Sequence, residues 1–184
     1  MKAKILTLVA ASAAAIFVQA AEAQSLPPAV IAVIDIQTLQ RDSLAAKDIV
    51  VQLEKYRSSF QAEITKEEDA LRNQEQELGR QRTILTPDAF AERQRQFQQK
   101  VADVQRKVQE RTRQLERSHA QARNDLGRAI QQIVLQMSQT RQFNMALDKA
   151  FVPFTHSGLD ITDIVLDELN RKQPKVAVPA PDKS

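Results

Sequence analysis

Ile84-Leu85-Thr86-Pro87-Asp88-Ala89-Phe90 is the stretch that decides how this chain folds. Thr86 is a good helix N-cap, Pro87 suits the first helical position, and Asp88 meets the positive end of the helix dipole. Pro87 is also the only proline between Pro28 and Pro153, and Gly79 and Gly127 are the only glycines there. Proline and glycine are the strongest local breaks a sequence has. Their scarcity predicts two very long helices that reverse at Leu85-Thr86-Pro87.

The flanking apolar stripes agree. The first arm begins near Ser43, a second N-cap residue, and carries Ile49, Leu53, Tyr56, Phe60, Ile64, Leu71 and Leu78. Near its base this is a helical stripe; farther out it thins to one apolar residue per heptad. The second arm carries Phe90, Phe97, Val101, Val104, Val108, Leu115, Ala122, Leu126, Ile130, Ile133 and Met137. A reversal at Leu85–Thr86 makes opposed residue numbers add to about 171. Leu71 then faces Val101, Ile64 faces Val108, and Tyr56 faces Leu115. Acidic residues 63–77 face basic residues 94–108.

The expectation is an antiparallel coiled coil over residues 43–142, with arms of about 42 residues or roughly 63 Å. Its outer seam is poor. Phe97 faces Gln74, and Leu78 faces Arg93 or Gln94. Gly79 costs a further ~1 kcal/mol relative to alanine. Few apolar contacts imply low local stability in the outer arms.

The ends read differently. Lys2 and Lys4 precede an apolar run from Ile5 to Val18, and Ala21-Glu22-Ala23 follows. This pattern predicts a secretory signal peptide over 1–23, cut near Ala23, and an exported chain. The chain has no cysteine and a formal net charge of +3. An exported protein without disulfides is held by packing or oligomerisation. Residues 173–184 are rich in proline and small residues and read as a disordered tail.

Between arm and ends lies a small β-rich body, residues 24–42 and 143–172. Val30-Ile31-Ala32-Val33-Ile34 reads as a buried strand. Phe143–Leu147 and Phe151–Phe154 are candidate strands of a hairpin turned at Asp148-Lys149. Asp160, with Asp163 three residues on, starts a last helix running to about Arg171. The fold class is therefore α+β, mainly α. Such a body is marginal as an independent core, and its strands leave open edges. Oligomerisation answers both problems.

The order of these elements resembles the Skp/OmpH family of periplasmic chaperones. The resemblance runs from Val30 to Asn170. It is carried by Ile31-Ala32-Val33-Ile34-Asp35, by the turn Ile84–Phe90, and by Gly158-Leu159-Asp160-Ile161-Thr162-Asp163. It implies a homotrimer of jellyfish shape, with a central β body and three arms around a cavity. It also implies unfolded outer-membrane β-barrel proteins as clients, held in the periplasm without nucleotide. Contact with lipopolysaccharide or an anionic membrane surface is implied too, at no position that transfers to this chain.

On charge, basic residues outnumber acidic ones from Pro87 to Arg128, ten to six. The register assigns Arg95, Lys100, Arg106 and Lys107 to acidic partners across the hairpin. At the apex Arg80, Arg82, Arg93 and Arg95 surround Phe90 and meet only Asp88 and Glu92. These five residues, Arg80, Arg82, Phe90, Arg93 and Arg95, are the candidate contact for clients or anionic lipid.

Catalysis finds little support. His119 and His156 lie in separate segments, and there is no thiol. Glu67-Glu68-Asp69 are consecutive, so they point to different helix faces. No glycine-rich loop holds phosphates. The expectation is a non-enzyme without cofactor or metal. Mixed charge and export argue against nucleic acid. The alternative function is a structural or adaptor coiled coil of the envelope that docks a folded partner through the arm tip.

Overall fold

The computed structural model describes residues 26–181. The expected signal peptide lies outside the described residues. Strand β1 (Ile31–Ile34) leads into helix α1 (Ile36–Asp42), then α2 (Leu44–Gln81) and α3 (Pro87–Arg141). Strand β2 (Met145–Asp148) follows, then two single 3-10 turns and helix α4 (Thr162–Lys172). Helices α2 and α3 are the two arms of the hairpin. Their 38 and 55 residues span roughly 57 Å and 83 Å at 1.5 Å per residue.

The caps explain where the helices start. Thr86 accepts a hydrogen bond from the Ala89 N–H, and Pro87 stands at the start of α3, as its sequence predicts. Ser43 accepts from the Ala46 N–H at 3.2 Å and is fully buried. It also closes α1, a helix absent from the expectation. Its signal is legible in retrospect: Asp35 accepts from the Thr38 N–H at 2.8 Å, and Leu39 is buried a turn later. Helix α3 stops at Gln142, which adopts a left-handed φ of 59°.

The strands pair in parallel, Ile31 with Met145 through Ile34 with Asp148. Parallel neighbours need a long crossover, and here the whole helical arm is inserted in it. The expected second hairpin is corrected. Asp148 does not turn a β-hairpin; its carboxylate accepts from the Ala150 N–H at 3.1 Å and opens a 3-10 turn over Lys149–Phe151. Phe151 and Phe154 lie outside any strand, each 86% exposed. Instead Asp160 bridges to Val33 in parallel, so β1 is flanked on both sides.

The core sits at the arm base. It gathers Ile34, Leu39, Ala45, Ile49, Leu126, Ile130, Val165 and Leu169. Asp160 ties α4 to it by accepting from the Thr162 N–H and hydroxyl, while Thr162 Oγ1 accepts from the Asp35 N–H at 2.9 Å. Residues 173–181, expected to be disordered, lie against the arm base with Val176 and Val178 buried in the same core. The signal was the Val-x-Val spacing within the proline-rich stretch.

Candidate functional site

The packing of the arm divides sharply along its length. Every buried hydrophobic side chain of α2 lies at or before Leu53, and every one of α3 at or after Ala122. Between them Ile64, Leu71, Val101 and Val104 are only half-buried, and Val108 is 39% exposed. The thin outer stripe therefore yields a seam without a closed interior.

Polar groups hold that seam. Lys107 Nζ lies 2.8 Å from Glu63 and 3.0 Å from Glu67 across the hairpin. Hydrogen bonds to Glu63 and then Glu67 raise the Lys107 pKa above its ordinary value. Arg111 sits 3.7 Å from the same Glu63, donates to Gln114 at 3.1 Å, and stacks over the Phe60 ring at 4.9 Å. Arg111, Gln114 and Ser118 are the buried residues of this stretch. A cation on an aromatic face keeps its charge satisfied while filling space an aliphatic side chain would take. Arg111 is one of the ten basic residues between Pro87 and Arg128, and it turns inward. The register that sets Ile64 against Val108 also sets Phe60 against Arg111, so the signal was present.

Beside this cluster an open groove of about 340 Å³ runs between the helices, lined by Leu53, Phe60, Ile64, Val108, Leu115 and His119. A smaller groove of about 160 Å³ near the tip holds Leu78 and Phe97 beside Gln74 and Arg93. The smaller groove contains the mismatched pairs that the register predicts.

The charge expectation is corrected in part. Of the four cations assigned to cross-hairpin partners, only Lys107 has them. Arg95 pairs with Glu92 at 2.6 Å and Arg106 with Asp103, each one turn away on α3 itself. Lys100 has no ion pair among the described residues. An i,i+3 carboxylate is always within reach on the same helix, whereas a cross-hairpin pair needs both chains at one height.

At the tip, Arg80 meets Glu77 at 3.9 Å, and Arg95 is held by Glu92. Arg82 and Arg93 are exposed and have no ion pair among the described residues. Phe90 is half-buried. Ile84, outside the five predicted tip residues, is 79% exposed at the same end of the arm. The five candidate residues thus share one end of the arm, but only Arg82 and Arg93 offer free charge.

The remaining candidates have structural places. His156 Nδ1 accepts from the Gly158 N–H at 3.1 Å, and exposed His119 lies over thirty residues away on the arm. Glu67 faces Lys107 while Asp69 turns to Arg72 at 3.8 Å. No cluster among the described residues has the composition of a metal site. No helix among them is long and apolar enough to cross a membrane.

The body carries the other open surface. Strand β2, on the open side of the sheet, leaves apolar side chains in solvent, Met145 at 44% and Leu147 at 38% exposure. A groove of about 430 Å³ beside β2 is lined by Ile36, Ile130, Val134, Leu135, Phe143 and Leu147.

Comparison with known proteins adds to this geometry. No curated protein matches the chain at a significant level. A crystal structure from Caulobacter crescentus, described as an OmpH-like outer membrane chaperone, superposes with a TM-score of 0.78 at 22% identity. The alignment covers 86% of this chain and 94% of that one, and at this identity it speaks to the fold. The sequence model of the family described as "Outer membrane protein (OmpH-like)" matches residues 30–169, most of the chain. This protein belongs to the OmpH-like outer membrane protein family.

Proposed function

We propose that this protein is an ATP-independent periplasmic holdase. It receives unfolded outer-membrane β-barrel proteins between its arms and keeps them from aggregating on the way to the outer membrane. The observation that carries the reading is the arm without an interior. Residues 54–121 bury no apolar side chain yet keep Phe60, Ile64, Leu71, Val101 and Val104 half-exposed along one seam. Many weak apolar contacts on a charged scaffold suit the retention of a chain that must later be released.

The body supports a homotrimer. A two-stranded ribbon of four-residue strands is too small to stand alone, and the exposed apolar residues of β2 and the groove beside it call for copies of the same chain. Three arms then enclose the client. The free Arg82 and Arg93 with Ile84 and Phe90 support contact between tip and client or anionic lipid.

The deciding experiment dilutes a urea-unfolded porin into buffer with and without the mature protein and follows light scattering. A holdase suppresses aggregation near one assembly per client. Unchanged aggregation sinks this reading and favours an adaptor that docks a folded partner.

A further inference from the structure

The Gln52 side-chain amide pairs with the backbone of the C-terminal segment on both sides of Ala177. Gln52 Nε2 donates to the Val176 carbonyl at 2.8 Å, and Gln52 Oε1 accepts from the Val178 N–H at 3.0 Å. A primary amide carries donor and acceptor side by side, as a peptide group does. Bonding the carbonyl before Ala177 and the N–H after it is what a residue on a parallel partner strand would do. Asp48 accepts the second Nε2 hydrogen at 2.7 Å and so fixes which edge of the amide carries oxygen. One helical turn on, Tyr56 Oη donates to the Val178 carbonyl at 3.4 Å.

Side chains follow the same alternation. Val176 and Val178 are 6% and 4% exposed, while Ala177 between them faces solvent. Residues two apart on an extended chain share a face. The recognition is thus backbone hydrogen bonding plus two apolar side chains at i and i+2, the two elements of strand addition to a surface.

We propose that the base of α2, centred on Asp48, Gln52 and Tyr56, is a binding site for extended peptide with apolar side chains two residues apart. The chain's own C-terminal segment is its resting occupant. Few neutral hydrogen bonds and two valines hold a segment whose ordering costs entropy, so the occupant exchanges. Strands of membrane β-barrels alternate apolar and polar residues and present the matching pattern. That link to clients rests on the holdase reading above.

The test uses the full chain and a fluorescein-labelled peptide with the sequence of residues 173–184, read by anisotropy. Val176→Ser with Val178→Ser releases the tail. The released variant binds the peptide at least tenfold more tightly than the wild type, and adding Gln52→Ala removes the gain. A Lys-Val-Thr-Val-Thr-Val-Lys peptide competes; its isomer Lys-Val-Val-Thr-Thr-Val-Lys, with no two valines two residues apart, competes at least tenfold less well. A released variant with native circular dichroism that binds no better than wild type overturns the site. Equal competition by the two peptides overturns its strand preference. Should the double variant not fold, hydrogen exchange decides: Gln52→Ala speeds exchange at the Val178 amide at least fivefold, and unchanged protection overturns the proposal. Neither readout involves aggregation, so peptide binding with a failed light-scattering test would remove the holdase reading and leave the site.

Discussion

The Lys107 ammonium lies 2.8 Å from the Glu63 carboxylate on the opposite helix, and Arg111 reaches that carboxylate one turn further along α3. This cluster fixes the height of one helix against the other where apolar packing is too thin to do so. Lys107→Met removes the bridge and leaves Glu63 and Glu67 facing each other at i,i+4. Partly exposed pairs contribute little, so the loss is about 1 kcal/mol and local. Amides at residues 60–68 and 104–112 then exchange about fivefold faster by hydrogen exchange, while those near Ile133 keep their rate.

Core truncations separate body from arm. Leu126 is 2% exposed in the main core, so Leu126→Ala lowers global stability by about 2–5 kcal/mol in urea unfolding. Val104 is half-buried in the seam, and Val104→Ala costs under about 1 kcal/mol because little area is lost. Equal effects at the two sites would contradict the division of packing between base and outer arm.

Acid should loosen the body before the arm. Burial raises the Asp160 pKa, but hydrogen bonds from Lys149 and Thr162 outweigh it and bring the value from 3.8 to about 2. A lowered folded-state pKa contributes stability above the unfolded value and loses it as pH falls through the folded one. The contribution, on the order of 2 kcal/mol, is complete above about pH 4 and fades toward pH 2. Lys149→Met removes the 2.7 Å pair with Asp160 and flattens this dependence. Urea midpoints measured from pH 5 to pH 2 on both proteins check it.

The tip prediction narrows to two residues. Arg82→Ser with Arg93→Ser weakens binding to vesicles containing anionic lipid, and the loss shrinks as salt rises because screening reaches about 8–10 Å. Arg95→Ser has less effect, since Glu92 already holds Arg95. Flotation with vesicles at low and high salt reads the difference. Full binding by the double variant at low salt refutes tip contact.

The hairpin was legible because its signals are local: Thr86 and Pro87 start α3, Ser43 starts α2, and the stripe places Phe60 beside Arg111. The charge pairing was legible only at Lys107. Sequence register says which residues stand at one height; it does not say that Arg95 and Arg106 will prefer the carboxylate one turn away on their own helix. The body was the harder part. Phe151–Phe154 has the composition of a strand, but Asp148 opens a 3-10 turn before it, and β2 takes its partner from the far end of the chain. Composition misled at the tail as well. Pro174, Pro179 and Pro181 look like disorder, while the contacts that order the segment come from Gln52 and Tyr56, over a hundred residues away.

The central claim is that an arm without its own interior receives an unfolded client. Hydrogen exchange with mass spectrometry, on the mature protein alone and with an equimolar assembly of unfolded porin, tests it most directly. In the free protein, amides of residues 54–121 exchange well ahead of those near Ile130 and Ile133. With client bound, protection rises along the seam at Phe60–Leu71 and Val101–Leu115, and the core stays as it was. Outer-arm amides already as protected as the core, or unchanged by the client, would contradict the account.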